Sequence, residues 1–189
     1  MIIGIAGKAQ AGKDTTAGML QVLLTNPDIT WNMYETDICF AWDHPIVHDA
    51  DLLKEVSQEM LDMPFDNFNS QEVKQQHIDW LGMTVREFLQ KLGTAVRKEI
   101  DPDFWVKALF NTYHKGNVII ADVRFPNEAE AIKERGGILI RIERPGAGAG
   151  EHVSETALDD YTGWNIIIDN VGTLEDLFNT VKFHVHNSL

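Results

Sequence analysis

Residues 7–15 read Gly7-Lys8-Ala9-Gln10-Ala11-Gly12-Lys13-Asp14-Thr15, with four residues between the two glycines and a lysine after the second. Ahead of them, Ile2 to Ala6 is a short apolar run ended by glycine, which predicts a buried strand. Behind them, Met19, Leu20, Leu23 and Leu24 recur at helical spacing until Asn26-Pro27-Asp28, which predicts a helix from Gly12 to about Leu24. Strand, glycine turn and helix in direct succession point to an α/β fold with the turn at the carboxyl end of a parallel strand. Glycines let backbone N–H groups turn inward, and a helix N-terminus adds positive partial charge, so this loop suits phosphate oxygens. Lys13 is placed to reach the β- and γ-phosphates of a nucleoside triphosphate. The plain alternative is a glycine turn that only joins two elements; the strand–loop–helix context favours the phosphate reading. One position departs from the usual pattern. Asp14 stands where Ser or Thr commonly holds Mg2+, and its carboxylate could bind the ion or one of its waters, with Thr15 or Thr16 sharing the role.

The rest of the chain alternates strands with helices. A strand is expected near residues 34–40, then helices around Asp51–Leu61 and Asn69–Trp80. Thr84-Val85-Arg86-Glu87 is a capping box opening a well-marked helix, and Asp101-Pro102 is expected to cap and begin the next. Val118–Ala121, Ile138–Ile142 and Asn165–Ile168 read as buried strands, with a helix over Glu128–Arg135 between the first two. Residues 145–150 form a Gly/Ala loop, and Thr173-Leu174-Glu175-Asp176 caps a C-terminal helix. The expected architecture is one domain, residues 1–189, with a central parallel sheet and a mostly helical region over residues 30–115.

Charge and cysteine narrow the function classes. Sixteen basic residues against 29 acidic ones leave a formal charge of −13, a field that repels nucleic-acid polymers and anionic membrane faces. Cys39 is alone, which excludes an internal disulfide and a Cys-based zinc site and suits a reducing compartment. The histidines, among them His48, His152 and His184, show no metal-ligand spacing. Met1–Ile5 has no basic leader, and no apolar run approaches the ~20 residues of a membrane-spanning helix. A soluble, cytoplasmic protein is expected.

Two further segments carry chemistry. On the helix from Thr84, Val85, Phe88, Leu89, Leu92 and Val96 form an apolar face. Beside it runs a stripe of Arg86, Gln90, Gly93 and Arg97. Arg suits bidentate phosphate binding, and Gln90 could hydrogen-bond a base edge. A glycine inside a helix costs ~1 kcal/mol relative to alanine, which close approach of a ligand would justify. The alternative is an exposed flank whose arginines pair with acids. In the second segment, Asp122 ends the strand Val118–Ala121 and Arg124 follows two residues later. An Asp there helps hold the metal in phosphate-loop proteins, and Arg124 could bridge the transferring phosphoryl group and its acceptor. The alternative is Asp122 as a helix cap and Arg124 as its ion-pair partner.

GKAQAGKDT, TVREFLQKLGTAVR with DPDFW behind it, and ADVRFPNEAEAI together resemble the deoxynucleoside monophosphate kinases of bacteriophages. RIERPG, HVSE (His152–Glu155) and IIDNVGTLEDL are similar to that family as well. The resemblance covers the loop and most of residues 84–180. It implies a P-loop kinase three-layer fold with a helical substrate-binding insertion, and transfer of the ATP γ-phosphoryl group to a deoxynucleoside monophosphate, with Mg2+. Its implied donor and metal site comprises Gly7, Gly12, Lys13, Asp14, Thr15, Thr16 and Asp122. Arg86 would grip the acceptor phosphate, Gln90, Gly93 and Thr94 would contact its base, and Trp105 would shape that pocket. Asp122, Arg124 and Glu128 would serve the catalytic centre and the sugar–phosphate. A homodimer in the host cytoplasm is also implied. The family's lysine after a Phe-Ala pair is replaced here, since Phe40-Ala41 is followed by Trp42. HVSE reads as a lid element or as a helix start, and Arg141 and Arg144 as phosphate contacts or as surface charges closing a strand. Two rivals remain: a small-molecule phosphate kinase resembling phosphomevalonate kinase, and a P-loop regulator that binds nucleotide without catalysis.

Overall fold

The computed structural model describes residues 1–36, 44–48, 50–64, 68–113, 116–148 and 153–189. In chain order the elements are β1 (Ile2–Ala6), α1 (Lys13–Thr25), α2 (Trp31–Thr36), β2 (Ile46–Val47), α3 (Asp51–Leu61), α4 (Gln71–Gln75), β3 (His77–Ile78) and β4 (Met83–Thr84). There follow α5 (Val85–Glu99), α6 (Phe104–Thr112), β5 (Val118–Val123), α7 (Pro126–Glu134), β6 (Ile138–Glu143), α8 (Val153–Thr156), β7 (Ile166–Asp169) and α9 (Leu174–Ser188). They form two compact units, residues 1–48 with 115–189, and residues 49–114.

The first unit is built on a five-stranded sheet in the order β2-β5-β1-β6-β7, with every neighbouring pair parallel. The period-two alternation of strands explains its layers. Ile3 and Ile5 of β1 join Ile140, Ile142, Ile166 and Ile168 in one core with Met19, Leu20 and Leu23 of α1 and Leu177, Phe178 and Val181 of α9. Gly4 points to the opposite face, where a Cβ would lie 2.6 Å from Ile132 Cδ1 of α7 and 2.9 Å from Leu139 Cδ2. Glycine here lets α7 come close to the middle of the sheet, giving three layers. From β1 the chain runs outward to one side, and from β5 it crosses to β6 on the other. Strand order therefore reverses beside β1, and the glycine loop occupies the switch point at its carboxyl end.

In the second unit, Phe68, Ile78 and Val85 form a small core against which Leu61, Met63, Leu81, Phe88 and Leu89 pack. The capping box at Thr84 is present. Its Oγ1 accepts from Glu87 N–H at 3.2 Å, and the Glu87 carboxylate accepts from Thr84 N–H at 2.7 Å. Thr173 and Asp176 repeat this at the start of α9.

Three expectations are corrected. Residues 34–36, the described part of the strand expected near 34–40, are helical, because Trp31 and Tyr34 pack against Phe178 of α9 with ring centroids 5.7 and 5.0 Å apart. Aromatic packing overrides strand propensity there, while Cys39 and Phe40-Ala41-Trp42 lie outside the described residues. The helix expected over Asn69–Trp80 stops at Gln75. Beyond it, His77 pairs with Thr84 and Ile78 with Met83 in a hairpin whose turn holds Gly82 at φ 65°. Finally, α6 begins at Phe104. Asp101 instead accepts from Asp103 N–H at 2.8 Å and from Lys107 Nζ at 2.7 Å, making a turn ahead of the helix.

The capping carboxylates link stability to pH. Glu87 is held below the usual carboxylate range by the Thr84 N–H and then the Thr84 hydroxyl, and Asp176 by the Thr173 hydroxyl and then its N–H. A depressed folded value means a contribution that is present above the unfolded carboxylate range and lost as pH falls through the folded one. Thr84→Ala should cost about 1 kcal/mol at neutral pH. In urea unfolding, the gap between this variant and the parent should shrink as acid protonates Glu87; an unchanged gap would argue against the box.

Candidate active site

The loop between β1 and α1 depends on both glycines. A Cβ on Gly7 would lie 2.6 Å from the Ile142 carbonyl oxygen of β6. Gly12 has φ 102° and would place a Cβ 2.7 Å from Asn170 Nδ2. Gly12 is also the N-cap of α1 and brings no side-chain acceptor. First-turn N–H groups have no intrahelical partner, so this helix start is built to receive an anion.

Lys13 folds over that loop. Its Nζ donates to Gly7 O at 2.9 Å and Lys8 O at 3.1 Å, and pairs with Asp122 at 3.4 Å, leaving the side chain 10% exposed. Asp122, at the carboxyl end of β5, also accepts from Arg124 Nε at 2.6 Å. The expected trio of Lys13, Asp122 and Arg124 is thus brought together. Glu128 is 2% exposed, and its Oε2 accepts from Arg124 N–H at 2.8 Å and Phe125 N–H at 3.0 Å. Helix α7 is therefore capped by Glu128 and not by Asp122, and Glu128 shapes the turn that carries Arg124.

Asp14 is 83% exposed and meets His48 Nε2 at 3.1 Å. Thr16 is fully buried and donates its hydroxyl to Gly12 O at 3.0 Å, within the helix, whereas Thr15 is exposed. Among the described residues no three His, Cys, Asp or Glu side chains are grouped to hold a metal. One or two carboxylates with phosphate and water ligands is the arrangement Mg2+ commonly uses; Asp14 offers an exposed carboxylate, while the two Asp122 oxygens are paired with Lys13 and Arg124.

In the second unit, the Arg86 guanidinium donates to Gln71 Oε1 at 2.6 Å. Gln90 is half-buried and Thr94 exposed on α5. Gly93 is closely packed on α5. A Cβ there would lie 3.2 Å from Leu53 Cδ2 of α3, and its carbonyl accepts the buried Trp105 indole N–H at 3.1 Å. Trp105 thereby braces the α5 backbone from behind.

Sequence reasoning missed Asn170, which follows β7 and donates from Nδ2 to Ala11 O at 2.9 Å. A polar residue directly after an apolar strand was the available signal. It also missed a cleft of about 80 Å³ beside the loop, bordered by Lys8, Arg124, Arg141, Asp159 and Trp164. The segment over residues 158–164 is tied down there: Lys8 pairs with Asp159, and Arg141 binds Glu143 at 2.8 Å and Leu158 O at 3.1 Å. The Arg141 guanidinium lies 5.5 Å from the Trp164 ring centroid. Its contacts are those of a staple between β6 and this segment. Residues 153–155 of HVSE lie in the short helix α8, and His152 lies outside the described residues.

A sequence profile of the family described as deoxynucleotide monophosphate kinase matches residues 20–181. The chain belongs to the deoxynucleotide monophosphate kinase family. That match begins downstream of the glycine loop, so loop and family are independent observations. A protein of Acanthamoeba polyphaga mimivirus assigned as a deoxynucleotide monophosphate kinase is 32% identical over 157 residues, 74% of this chain and 81% of that protein. The deoxynucleotide monophosphate kinase of Enterobacteria phage T4 is 31% identical over 107 residues, 52% of this chain and 44% of that protein. This chain therefore aligns with under half of the phage protein's length. Among solved structures, shikimate kinase from Acinetobacter baumannii superposes with a TM-score of 0.52 at 14% identity, covering 100% of this chain and 94% of that one. Shikimate kinase from Aquifex aeolicus gives 0.50 at 14%, covering 98% and 96%. At such identity the likeness shows the fold alone. Membership of this family makes the chain a phosphotransferase; no helix among the described residues is long and apolar enough to cross a membrane.

The tethered 158–164 segment can be probed through Tyr161, whose hydroxyl donates to Glu130 at 2.6 Å. Burial, then this bond and the carboxylate charge, push the phenol up to about 12. A raised folded value stabilises the protein below the ordinary phenol range, a contribution lost as pH rises through it. The near-ultraviolet titration difference between the parent and Tyr161→Phe should have its midpoint at about 12. A midpoint near the ordinary value of about 10 would mean the segment is not held there.

Proposed function

We propose that this protein transfers the γ-phosphoryl group of ATP to the phosphate of a deoxynucleoside monophosphate, releasing ADP and the deoxynucleoside diphosphate. The observation that carries the reading is the trio of Lys13, Asp122 and Arg124 at the mouth of an uncapped helix, in a chain of this family. Backbone N–H groups of the loop, apart from that of Ala11, hold the donor phosphates, and Lys13 exchanges loop carbonyls for β- and γ-phosphate oxygens. Asp14 and Asp122 would hold Mg2+ together with phosphate oxygens and water, and the ion supplies charge neutralisation. Thr15 is the hydroxyl available to assist, since that of Thr16 is turned into the helix.

On α5, Arg86 binds the acceptor phosphate while Gln90 and Thr94 address its base. Gly93 and Trp105 keep that helix surface in place, and Glu128 sets the backbone from which Arg124 reaches the transferring group. A phosphomonoester with second pKa of about 6 is mostly dianionic at neutral pH, so the protein needs no general base. Its work is positioning and neutralising charge between two anions.

A coupled assay of ADP release against deoxynucleoside monophosphates, ribonucleoside monophosphates and phosphomevalonate tests this reading. Turnover with at least one deoxynucleoside monophosphate is expected; no turnover with any acceptor would overturn it. Lys13→Ala and Arg124→Ala should each lower kcat by at least about a hundredfold with the circular dichroism spectrum retained. Arg86→Ala should raise KM for the acceptor by about tenfold or more and leave KM for ATP near the parent value.

A further inference from the structure

Asn170 is 8% exposed and stands at the carboxyl end of β7. Its own N–H donates to Glu143 O of β6 at 2.7 Å, and its side-chain Nδ2 donates to Ala11 O at 2.9 Å. The sheet thus anchors an amide that reaches the phosphate loop from behind. The peptide between Ala11 and Gly12 is planar and trans, so its carbonyl and its N–H point in opposite directions. With the Ala11 carbonyl turned onto Asn170, the Gly12 N–H is turned away from Asn170 and into the loop.

That orientation needs a restraint. Gly12 has no Cβ and tolerates positive and negative φ alike, so a peptide plane next to it can rotate at little steric cost. The bond from Ala11 N–H to Lys8 O at 3.1 Å lies one peptide earlier and does not fix this plane. Close approach is mutual, since a Cβ on Gly12 would come within 2.7 Å of Asn170 Nδ2.

We infer that Asn170 is a positioning residue for the donor site, holding the Ala11–Gly12 peptide so that the Gly12 N–H faces the phosphates of the incoming nucleoside triphosphate. The inference rests on the loop being the donor site. Asn170→Ala removes the restraint, and Asn170→Asp sets a carboxylate against the Ala11 carbonyl. Binding of ATP and of inorganic tripolyphosphate is measured by calorimetry on the full chain, alongside KM for each substrate and the thermal midpoint. Both variants should lose affinity for ATP by about tenfold or more, the worth of one hydrogen bond to a charged group. Tripolyphosphate should weaken to the same extent, because the contact is to phosphate and not to the base. KM for the acceptor should stay within about twofold. Parent-like ATP affinity in a folded variant, or equal losses for ATP and the acceptor, would overturn the inference. Should Asn170→Ala not fold, Asn170→Ser is read by the same criteria. Failure of the parent itself to bind tripolyphosphate would overturn the donor-site reading first, and this inference with it.

Discussion

A lysine ammonium withdrawn from water is unfavourable unless its donors are met, and Lys13 meets them with the structure it organises. Two of its partners, Gly7 O and Lys8 O, belong to its own loop, so the loop's curvature and the lysine's place are a single constraint. The third partner, Asp122, belongs to β5 and ties the loop to the neighbouring strand. From Asp122 the contacts continue to Arg124 and, through the Arg124 backbone, to Glu128. The carboxyl edges of β1 and β5 are joined by this one run of hydrogen bonds and ion pairs.

Local signals in the sequence predicted what local physics determines. The glycine spacing, the apolar strands and the boxes at Thr84 and Thr173 are short-range patterns, and each corresponds to an element in the structure. What failed depends on specific side-chain partners, near or distant in the chain, that composition does not show. Tyr34 carries strand propensity, yet Phe178 makes its segment a helix. Gly93 also has a packing contact that the sequence does not show, since a Cβ there would lie 3.2 Å from Leu53 Cδ2. Asp101-Pro102 has the composition of a helix start, but Asp103 and Lys107 draw the Asp101 carboxylate into a preceding turn. Asn170 carried only the weak signal of a polar residue after an apolar strand, because its partner Ala11 lies at the other end of the sequence.

The charge of −13 and the cations around the loop act over different ranges. At physiological ionic strength, fields between exposed charges fade over roughly 8 Å, so the acidic surface governs which partners approach and not what happens within the loop. Inside, each cation is already matched: Lys13 and Arg124 share Asp122, Lys8 has Asp159, and Arg141 has Glu143. Matching holds these side chains in place before any phosphate arrives. Donors aimed in advance need no reorganisation when charge moves past them, which is where preset electrostatics gains its effect.

Three buried polar side chains show how that aim is kept. Glu128 accepts from the N–H groups of Arg124 and Phe125, Asn170 donates to the Ala11 carbonyl, and Trp105 donates to the Gly93 carbonyl. Each meets backbone at a candidate functional segment, and for Ala11 and Arg124 that backbone has no regular ladder to satisfy it. Leaving any of these groups unpaired in the interior would carry its full desolvation cost, so each contact resists distortion of the segment it holds. A reaction that asks for position and charge and not for a general base depends on such backbone restraint as much as on the residues that touch phosphate.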